Sequence, residues 1–454
     1  MSNWSEMVAQ EFSDVDLGDE RLAKRCQQLA RQFSAQPDKS VPEACINWGD
    51  TKAAYRFFDN ERVTREKLLE PHVEQTVGRT KGRDVILAIQ DTTFFNMGVR
   101  DAAEGFGRIG KSEKKSQGFV AHNTIAVSGD NGEVLGVLHQ EVWARTGDKS
   151  KEERTYQVRK RPRESERWIR GIDRVARLGI EGKVVHVFDR EGDIYEALEL
   201  LAESASSYVI RATANRRLSG GGYLLDAIGE YSEIGRMRVD VAARDGHRAR
   251  TAELGVRSAT MRIRPPLELK GRKAPEIDVG VVQVEEITPP EGVEAVKWSL
   301  VTREPRETLE DCIRVVKYYA KRWKIEEFHM GLKTGCGLEK RQLHSRERME
   351  VFLGLANVIA IMLVRMRDVA RESSPATALN PIQMGLLKKK YPKLEVKATN
   401  RDILRAVAQL GGFLARKSDG EPGWRTIWKG MHKLLLMEYG CLLGSDAIPA
   451  AIYG

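Results

Sequence analysis

At 454 residues the chain is too long for one compact core and predicts two to four domains. No stretch approaches the ~18 uncharged apolar residues of a membrane span, and the acidic opening MSNWSEMVAQEFSDVD does not read as a secretory signal, so a cytoplasmic protein without a membrane partner is expected. Seventy-four Lys and Arg against sixty-five Asp and Glu leave a net charge of +9, which favours a polyanionic partner. The five cysteines, Cys26, Cys45, Cys312, Cys336 and Cys441, form no C-x-x-C pair, and the eight histidines show no H-E-x-x-H spacing. Disulfide frameworks and zinc knuckles are therefore not indicated.

The first 75 residues read as helices. LGDERLAKRCQQLARQF has helical spacing behind the cap-like Asp19, a second helix starts near Pro42, and a third follows Asp50 in DTKAAYRFFDN. Arg21, Lys24 and Arg25 fall close together on the first, and Arg56 lies beside aromatic residues on the third. A basic helical module suits DNA backbones; a plain helical cap on the next domain fits equally well.

VILAIQDTTFF follows, an apolar run from Val85 to Ile89 closed by Asp91, which reads as a strand buried on both faces. Residues 123–143 read as two strands joined by a turn at Asp130, Asn131 and Gly132, and ESERWIRGIDRVARLGI as a helix. KVVHVFDREGDIY then repeats the earlier arrangement, an apolar run closed by Asp189, with Arg190 and Glu191 beside it. From about Tyr208 to Thr302 the texture is β-rich, with a hairpin expected at Asp245 and Gly246. Thr308 and Asp311 form a capping-box pair before a long basic helix. Residues 350–366 are an apolar helix, and the last ~90 residues a helical module ending in GWRTIWKGMHKLLLMEYGCLL.

The basic helix carries most of the information. From Arg314 to Arg348 there are ten Lys and Arg against four Glu, a local excess of six. At 100° per residue, Tyr319, Arg322, Glu326 and Lys333 fall at about 0°, −60°, −20° and −40°, one narrow stripe from which Lys317, Lys321, Lys324 and Glu327 point away. A solvated polar face would gather those charges as well. Two strand-end aspartates and a glutamate on a later basic helix are what a two-metal phosphodiester site requires, because ligands of open α/β sheets gather beyond the carboxyl ends of the strands. Taken singly, each has a plainer reading: a turn or cap residue for Asp91 and Asp189, a surface i,i+4 pair for Arg322 and Glu326.

The spacing Tyr319-x2-Arg322-x3-Glu326-x6-Lys333 resembles the Y-R-E-K signature of the insertion-sequence-four family, cut-and-paste bacterial transposases with a ribonuclease-H-like core and a DDE triad. AYRFFDN, AIQDTT, GVLHQE, DREGDIY, WSLVTREP and RWKIEEFHMGLKTG resemble that family's blocks in its order, so the similarity spans nearly the whole chain. The resemblance implies an N-terminal helical DNA-binding domain over 1–70 and a catalytic domain over 71–365. The latter is an α/β ribonuclease-H-like mixed-sheet core with an all-β insertion at about 208–303. A C-terminal helical dimerisation domain over 366–454 completes the chain.

It further implies that Asp91, Asp189 and Glu326 are the catalytic, metal-binding triad, holding two Mg²⁺ ions for which Mn²⁺ substitutes. Tyr319, Arg322 and Lys333 become phosphate contacts, Trp298 a stacking platform for a flipped base, and Arg211 and Arg216 a basic stretch holding the cleaved end. Arg21, Arg25 and Arg56 fall where the family reads its terminal repeat, matching only in pattern, which leaves the repeat itself open. Met330 stands where the best-known member has a lysine, so one phosphate contact is expected to be missing or supplied by Lys324 or Arg341. The implied partners are double-stranded transposon ends, target DNA and a second copy of the chain. The implied reaction is end cleavage through a hairpin, followed by joining of the 3′-OH ends to target DNA. A ribonuclease-H-like nuclease or resolvase without strand transfer, and a silent end-binding protein, are the alternatives.

Overall fold

The computed structural model describes residues 3–98, 104–109, 116–145, 164–241, 250–267, 274–371, 379, 381–394, 398–416 and 419–443. Five helices open the chain: α1 (Asn3–Gln10), α2 (Glu20–Ala35), α3 (Val41–Ala44), α4 (Trp48–Phe58) and α5 (Arg65–Thr80). From α2 onward each begins on a side chain that satisfies first-turn N–H groups, which a helix cannot bond internally. Asp19 accepts from the Arg21 amide, Ser40 and Glu43 form a reciprocal capping box around Pro42, and Thr64 accepts from the Lys67 amide. The third expected helix starts at Trp48, ahead of Asp50, because Asn47 caps it by accepting from the Asp50 amide.

One mixed sheet follows. Its strands are β1 (Val85–Gly98), β2 (Gly107–Arg108), β3 (Gln117–Ser128), β4 (Val134–Trp143), β5 (Lys183–Phe188), β6 (Ser207–Arg211), β7 (Gly235–Val241), β8 (Arg250–Ile263), β9 (Ile277–Glu286) and β10 (Lys297–Thr302). β4, β3 and β1 run antiparallel in turn, and β5 and β6 are added parallel to β1. Counted in chain order this is the 3-2-1-4-5 arrangement of a ribonuclease-H-like core. The strand expected to stop at Asp91 does not stop there. β1 continues beside β3 to Gly98, whereas its pairing with β5 ends at Ile89 and Val187. Asp91 is thus mid-strand on one side and at the mouth of the sheet on the other.

The β-rich region expected as an insertion extends this same sheet. β10 pairs antiparallel with β6, and β9, β8 and β7 continue outward as an antiparallel meander. The region also holds a short helix, α8 (Leu224–Glu230). Its expected hairpin at Asp245 and Gly246 lies outside the described residues. Helices α6 (Glu166–Ala176) and α7 (Tyr195–Glu203) precede and follow β5. Trp168 and Ile172 of α6, Leu198 of α7 and Ile210 of β6 share one buried cluster. Gly171 lets α6 lie directly on β1, since a Cβ there would come within 2.4 Å of the Gln90 side-chain oxygen.

The basic helix expected from Thr308 through Gly335 is three pieces: α9 (Leu309–Ala320), α10 (Trp323–Met330) and a π turn (Gly331–Gly335). The Thr308–Asp311 capping box forms as expected. At Lys321 and Arg322 the chain tightens, with the Arg322 amide bonded three residues back to Tyr319 at 2.9 Å. Lys321 turns inward there to the carbonyls of Gly129 and Asp130 in the β3–β4 turn. The even 100° step therefore fails at both ends of the stripe, at the kink and at the wide turn.

Helix α11 (Arg346–Arg371) is buried continuously from Val351 to Val364, as expected of a helix apolar on every face. It packs against α2, α4 and α5, against β4, and against the C-terminal helices α13 (Asn400–Leu410) and α14 (Trp424–Leu443). With α12 (Pro381–Lys390), those C-terminal helices enclose a separate apolar cluster around Leu387, Ile403, Val407, Ile427 and Leu434. Residues 70 and 365, where domain borders were expected, fall inside α5 and α11.

Candidate active site

Parallel pairing between β1 and β5 stops at Ile89 and Val187, and Asp91 and Asp189 each stand two residues further on. Both side chains therefore project to the same face from adjacent chains, whose spacing in a sheet is about 4.8 Å. Asp189 caps the turn Arg190–Gly192 through the Glu191 amide at 2.9 Å, and Asp91 accepts from the Thr92 amide at 2.7 Å. Glu326 reaches the same mouth from α10. Between Asp91 and Glu326 lies the Arg322 guanidinium, at 3.2 Å from Asp91 Oδ2 and hydrogen-bonded to Glu326 Oε1. Burial, then the charge of Asp189 and more weakly that of Glu326, hold Asp91 up at about 7; Arg322 offsets only part of this. Added positive charge beside Asp91 would favour its ionised form. The donors are hard oxygens, which suit a divalent ion such as Mg²⁺. Among the described residues no acidic, His or Cys group stands at metal-holding spacing, with Arg322 lodged between two of the three carboxylates.

Two buried polar networks support this mouth. His329 of α10, held neutral by burial at about 3, accepts from Asn123 on β3 at 2.9 Å. Asn123 accepts from Gln140 on β4 at 2.6 Å, and Gln140 exchanges hydrogen bonds with Asn357 of α11 at 2.9 and 2.8 Å. The helix bearing Glu326 is thereby fixed to the sheet by side chains that have no water to turn to. On the other side Thr92 bonds His122 at 2.9 Å, and His122 reaches Gln90 at 3.0 Å.

Three family models match successive parts of the chain: Transposase DNA-binding over residues 2–63, Transposase DDE domain over residues 85–363, and Transposase Tn5 dimerisation domain over residues 380–444. The chain belongs to the DDE transposase family. It is a cut-and-paste transposase of the Tn5 and insertion-sequence-four type, with a ribonuclease-H-like core and metal-dependent chemistry, acting on DNA ends as a homodimer. Among solved structures, the cryo-EM synaptic complex of piggyBac transposase with hairpin DNA is similar at 9% identity over 99% of this chain and 80% of that one, with a TM-score of 0.39. That likeness is too distant to carry an argument.

The transposase has a groove of about 930 Å³ lined by Trp298, Arg211, Lys297, Lys317 and Arg190, the residue after Asp189, among others. Tyr319 is buried and meets Trp298 edge-on with centroids 5.1 Å apart, so its ring backs the tryptophan. Lys333, on the π turn, sits over the Phe95 ring at 5.9 Å. Arg216 departs from its expected place. It is buried, paired with Asp193 at 2.5 Å and donating to the Asp193 carbonyl, while Asp193 accepts from the Thr213 and Ala214 amides. That arginine braces the loop behind Arg211. Arg341, expected as a substitute for the lysine missing at Met330, is buried against Phe352 and bonded to backbone carbonyls of Cys336, Pro37 and Lys39. It cannot reach a phosphate from there.

In the N-terminal domain, Arg21, Arg25 and Arg56 do share one concavity, of about 580 Å³, between α2 and α4. Arg62 joins them, a residue that no sequence pattern singles out. Arg25 is tied to Asp50 at 3.0 Å and half withdrawn, whereas Arg21, Arg56 and Arg62 are exposed. No helix among the described residues is long and apolar enough to cross a membrane.

Proposed function

We propose that this transposase uses Asp91, Asp189 and Glu326 to hold two Mg²⁺ ions, for which Mn²⁺ substitutes, and that it cuts and joins DNA in four phosphoryl transfers at this one site. When bound, the ions activate the attacking oxygen and stabilise the leaving one. Water attacks the phosphodiester at the transposon boundary and leaves a 3′-OH. That hydroxyl attacks the opposite strand to form a hairpin, water reopens the hairpin, and the 3′-OH finally attacks target DNA. Arg322 moves from the carboxylates to a DNA phosphate, an alternative anion that its planar fork fits in bidentate fashion. Its departure frees Asp91 and Glu326 for metal. Lys333, Arg211, Arg190 and Lys317 hold the strands by charge. Trp298, stiffened from behind by Tyr319, stacks on a base flipped out of the tightly bent hairpin. Arg21, Arg56 and Arg62 contact the terminal repeat. The DNA substrate lies in the cytoplasm, in the bacterial nucleoid.

What supports this reading most is the convergence of Asp91 and Glu326 on Arg322, with Asp91 held up at about 7 by burial, by the charge of Asp189 beside it and more weakly by that of Glu326. The deciding experiment incubates the full chain with the terminal repeats of its own element and Mg²⁺. A denaturing gel reports nicks and hairpins, and a labelled-plasmid assay reports joining. Nicks, hairpins and joined product are expected from the wild type, and none from Asp91→Ala, Asp189→Ala or Glu326→Ala, all of which still bind the ends. Nicking without hairpins or joining would leave a simple nuclease, and binding without nicking a silent end-binding protein.

A further inference from the structure

Bonded to the segments that carry both aspartates is a buried guanidinium that the reaction scheme leaves unused. Arg167, in the first turn of α6, is 8% exposed. Its Nε donates to Thr92 Oγ1 at 2.8 Å, one Nη donates to the Glu164 carbonyl at 2.7 Å, and the other pairs with Glu191 Oε2 at 2.8 Å. Thr92 is the residue after Asp91, and its amide bonds the Asp91 carboxylate; Glu191 is two residues after Asp189, and its amide bonds the Asp189 carboxylate. One arginine thus grips the segment carrying each aspartate, across the point where β1 and β5 cease to pair.

The surrounding groups complete the grip. Burial keeps His122 neutral, so one ring nitrogen donates and the other accepts. With the proton on Nε2, directed at Gln90 Oε1, Nδ1 accepts from the Thr92 hydroxyl, which in turn accepts from Arg167. Thr92 has then no rotational freedom left. The next residue of α6, Trp168, is fully buried between His122 at 4.6 Å and Phe188 at 4.8 Å, and Phe188 immediately precedes Asp189. Without ladder hydrogen bonds between β1 and β5 beyond Ile89, the Asp91 to Asp189 separation depends on side chains, and α6 supplies them.

We infer that Arg167 is a positioning residue that sets the separation of Asp91 and Asp189, and so the affinity of the catalytic site for divalent metal. The inference rests on those two aspartates being metal ligands, as proposed above. Outer-shell partners of this kind change metal affinity by about 10- to 100-fold when removed.

The test is Mn²⁺ binding, read by electron paramagnetic resonance on the full chain with and without end DNA. The proteins are the wild type, Asp189→Asn, Arg167→Ala, Arg167→Lys, Thr92→Val and Glu191→Gln, each with its melting temperature. Mn²⁺ binding that Asp189→Asn abolishes establishes the ligand set. Arg167→Ala should then bind Mn²⁺ about 10- to 100-fold more weakly while keeping end-DNA affinity, and Arg167→Lys should recover part of the loss. Thr92→Val, which removes a single oxygen without changing shape, should weaken binding in the same direction and decides the matter if Arg167→Ala does not fold. Folded Arg167→Ala or Thr92→Val protein with Mn²⁺ affinity within twofold of wild type would reduce Arg167 to a stabilising contact and overturn the inference. If Asp189→Asn itself leaves Mn²⁺ binding unchanged, the ligand assignment fails and the inference falls with it.

Discussion

Replacing Asp91 by Asn should stabilise the metal-free protein at neutral pH while abolishing cleavage. The ordinary aspartate value of 3.8 and the value of about 7 at this site bracket a window in which the folded chain keeps a proton that the unfolded chain has released. Stability therefore falls as pH rises through that window, by about 1.4 kcal/mol for each pH unit, and the loss levels off above about pH 7 at ~4 kcal/mol at most. Asn has the shape of the protonated acid and nothing to ionise, so it escapes the penalty. Denaturant unfolding of both proteins in EDTA, at intervals from pH 4 to pH 8, measures it. The variant's advantage should be near zero at pH 4, grow to a few kcal/mol by pH 7, and shrink on adding Mg²⁺, which binds only the wild type. An advantage that stays constant with pH, or is unmoved by Mg²⁺, would refute the claim that the site carries uncompensated negative charge.

Arg322→Ala removes the cation between Asp91 and Glu326; it should cost about 1.5 to 3 kcal/mol of stability at pH 8 in EDTA, the worth of hydrogen bonds to charged groups, and Mn²⁺ should restore it. End-DNA affinity of the same variant should also fall, and a gel-shift titration reports it. Trp298→Ala should forfeit ~1 to 3 kcal/mol of base stacking, so the first nick persists while hairpin opening slows. A 2-aminopurine placed near the transposon terminus should lose its fluorescence change in that variant, and Trp298→Phe should keep part of it. Alanine at Arg21, Arg56 and Arg62 together should flatten the dependence of end binding on salt, by roughly 0.9 in log–log slope for each phosphate no longer neutralised. An unchanged slope would leave those arginines off the DNA.

The proposed triad is legible because each of its members sits on a pattern that local chemistry writes plainly: apolar runs closed by Asp91 and by Asp189, and a basic helix bearing Glu326. What the sequence hides is what the neighbours do. DTTFFNMG mixes polar and apolar residues and suggests a strand end, yet β1 runs on through it because β3 stays paired to it. The break at Lys321 is invisible to helix propensity, since Lys, Arg and Trp all tolerate a helix; it falls where Lys321 reaches the β3–β4 turn. Arg216 reads as a surface cation until the fold brings it onto Asp193. Arg167 lies in ESERW and reads as helix-start polarity. Its one local clue is the adjoining Trp168, which marks that side of α6 as inward.

Helix α11 bears on how this protein can be taken apart. A cut near residue 365, at the edge of the matched DDE domain, would leave its greasy middle intact but strip away the C-terminal helices that lean on it, and removing α1 to α4 would bare the surface those helices cover. Each fragment would carry a newly wetted apolar strip, so shortened versions should be sticky and poorly soluble, and the three matched segments are better regarded as organs of one body than as beads on a string.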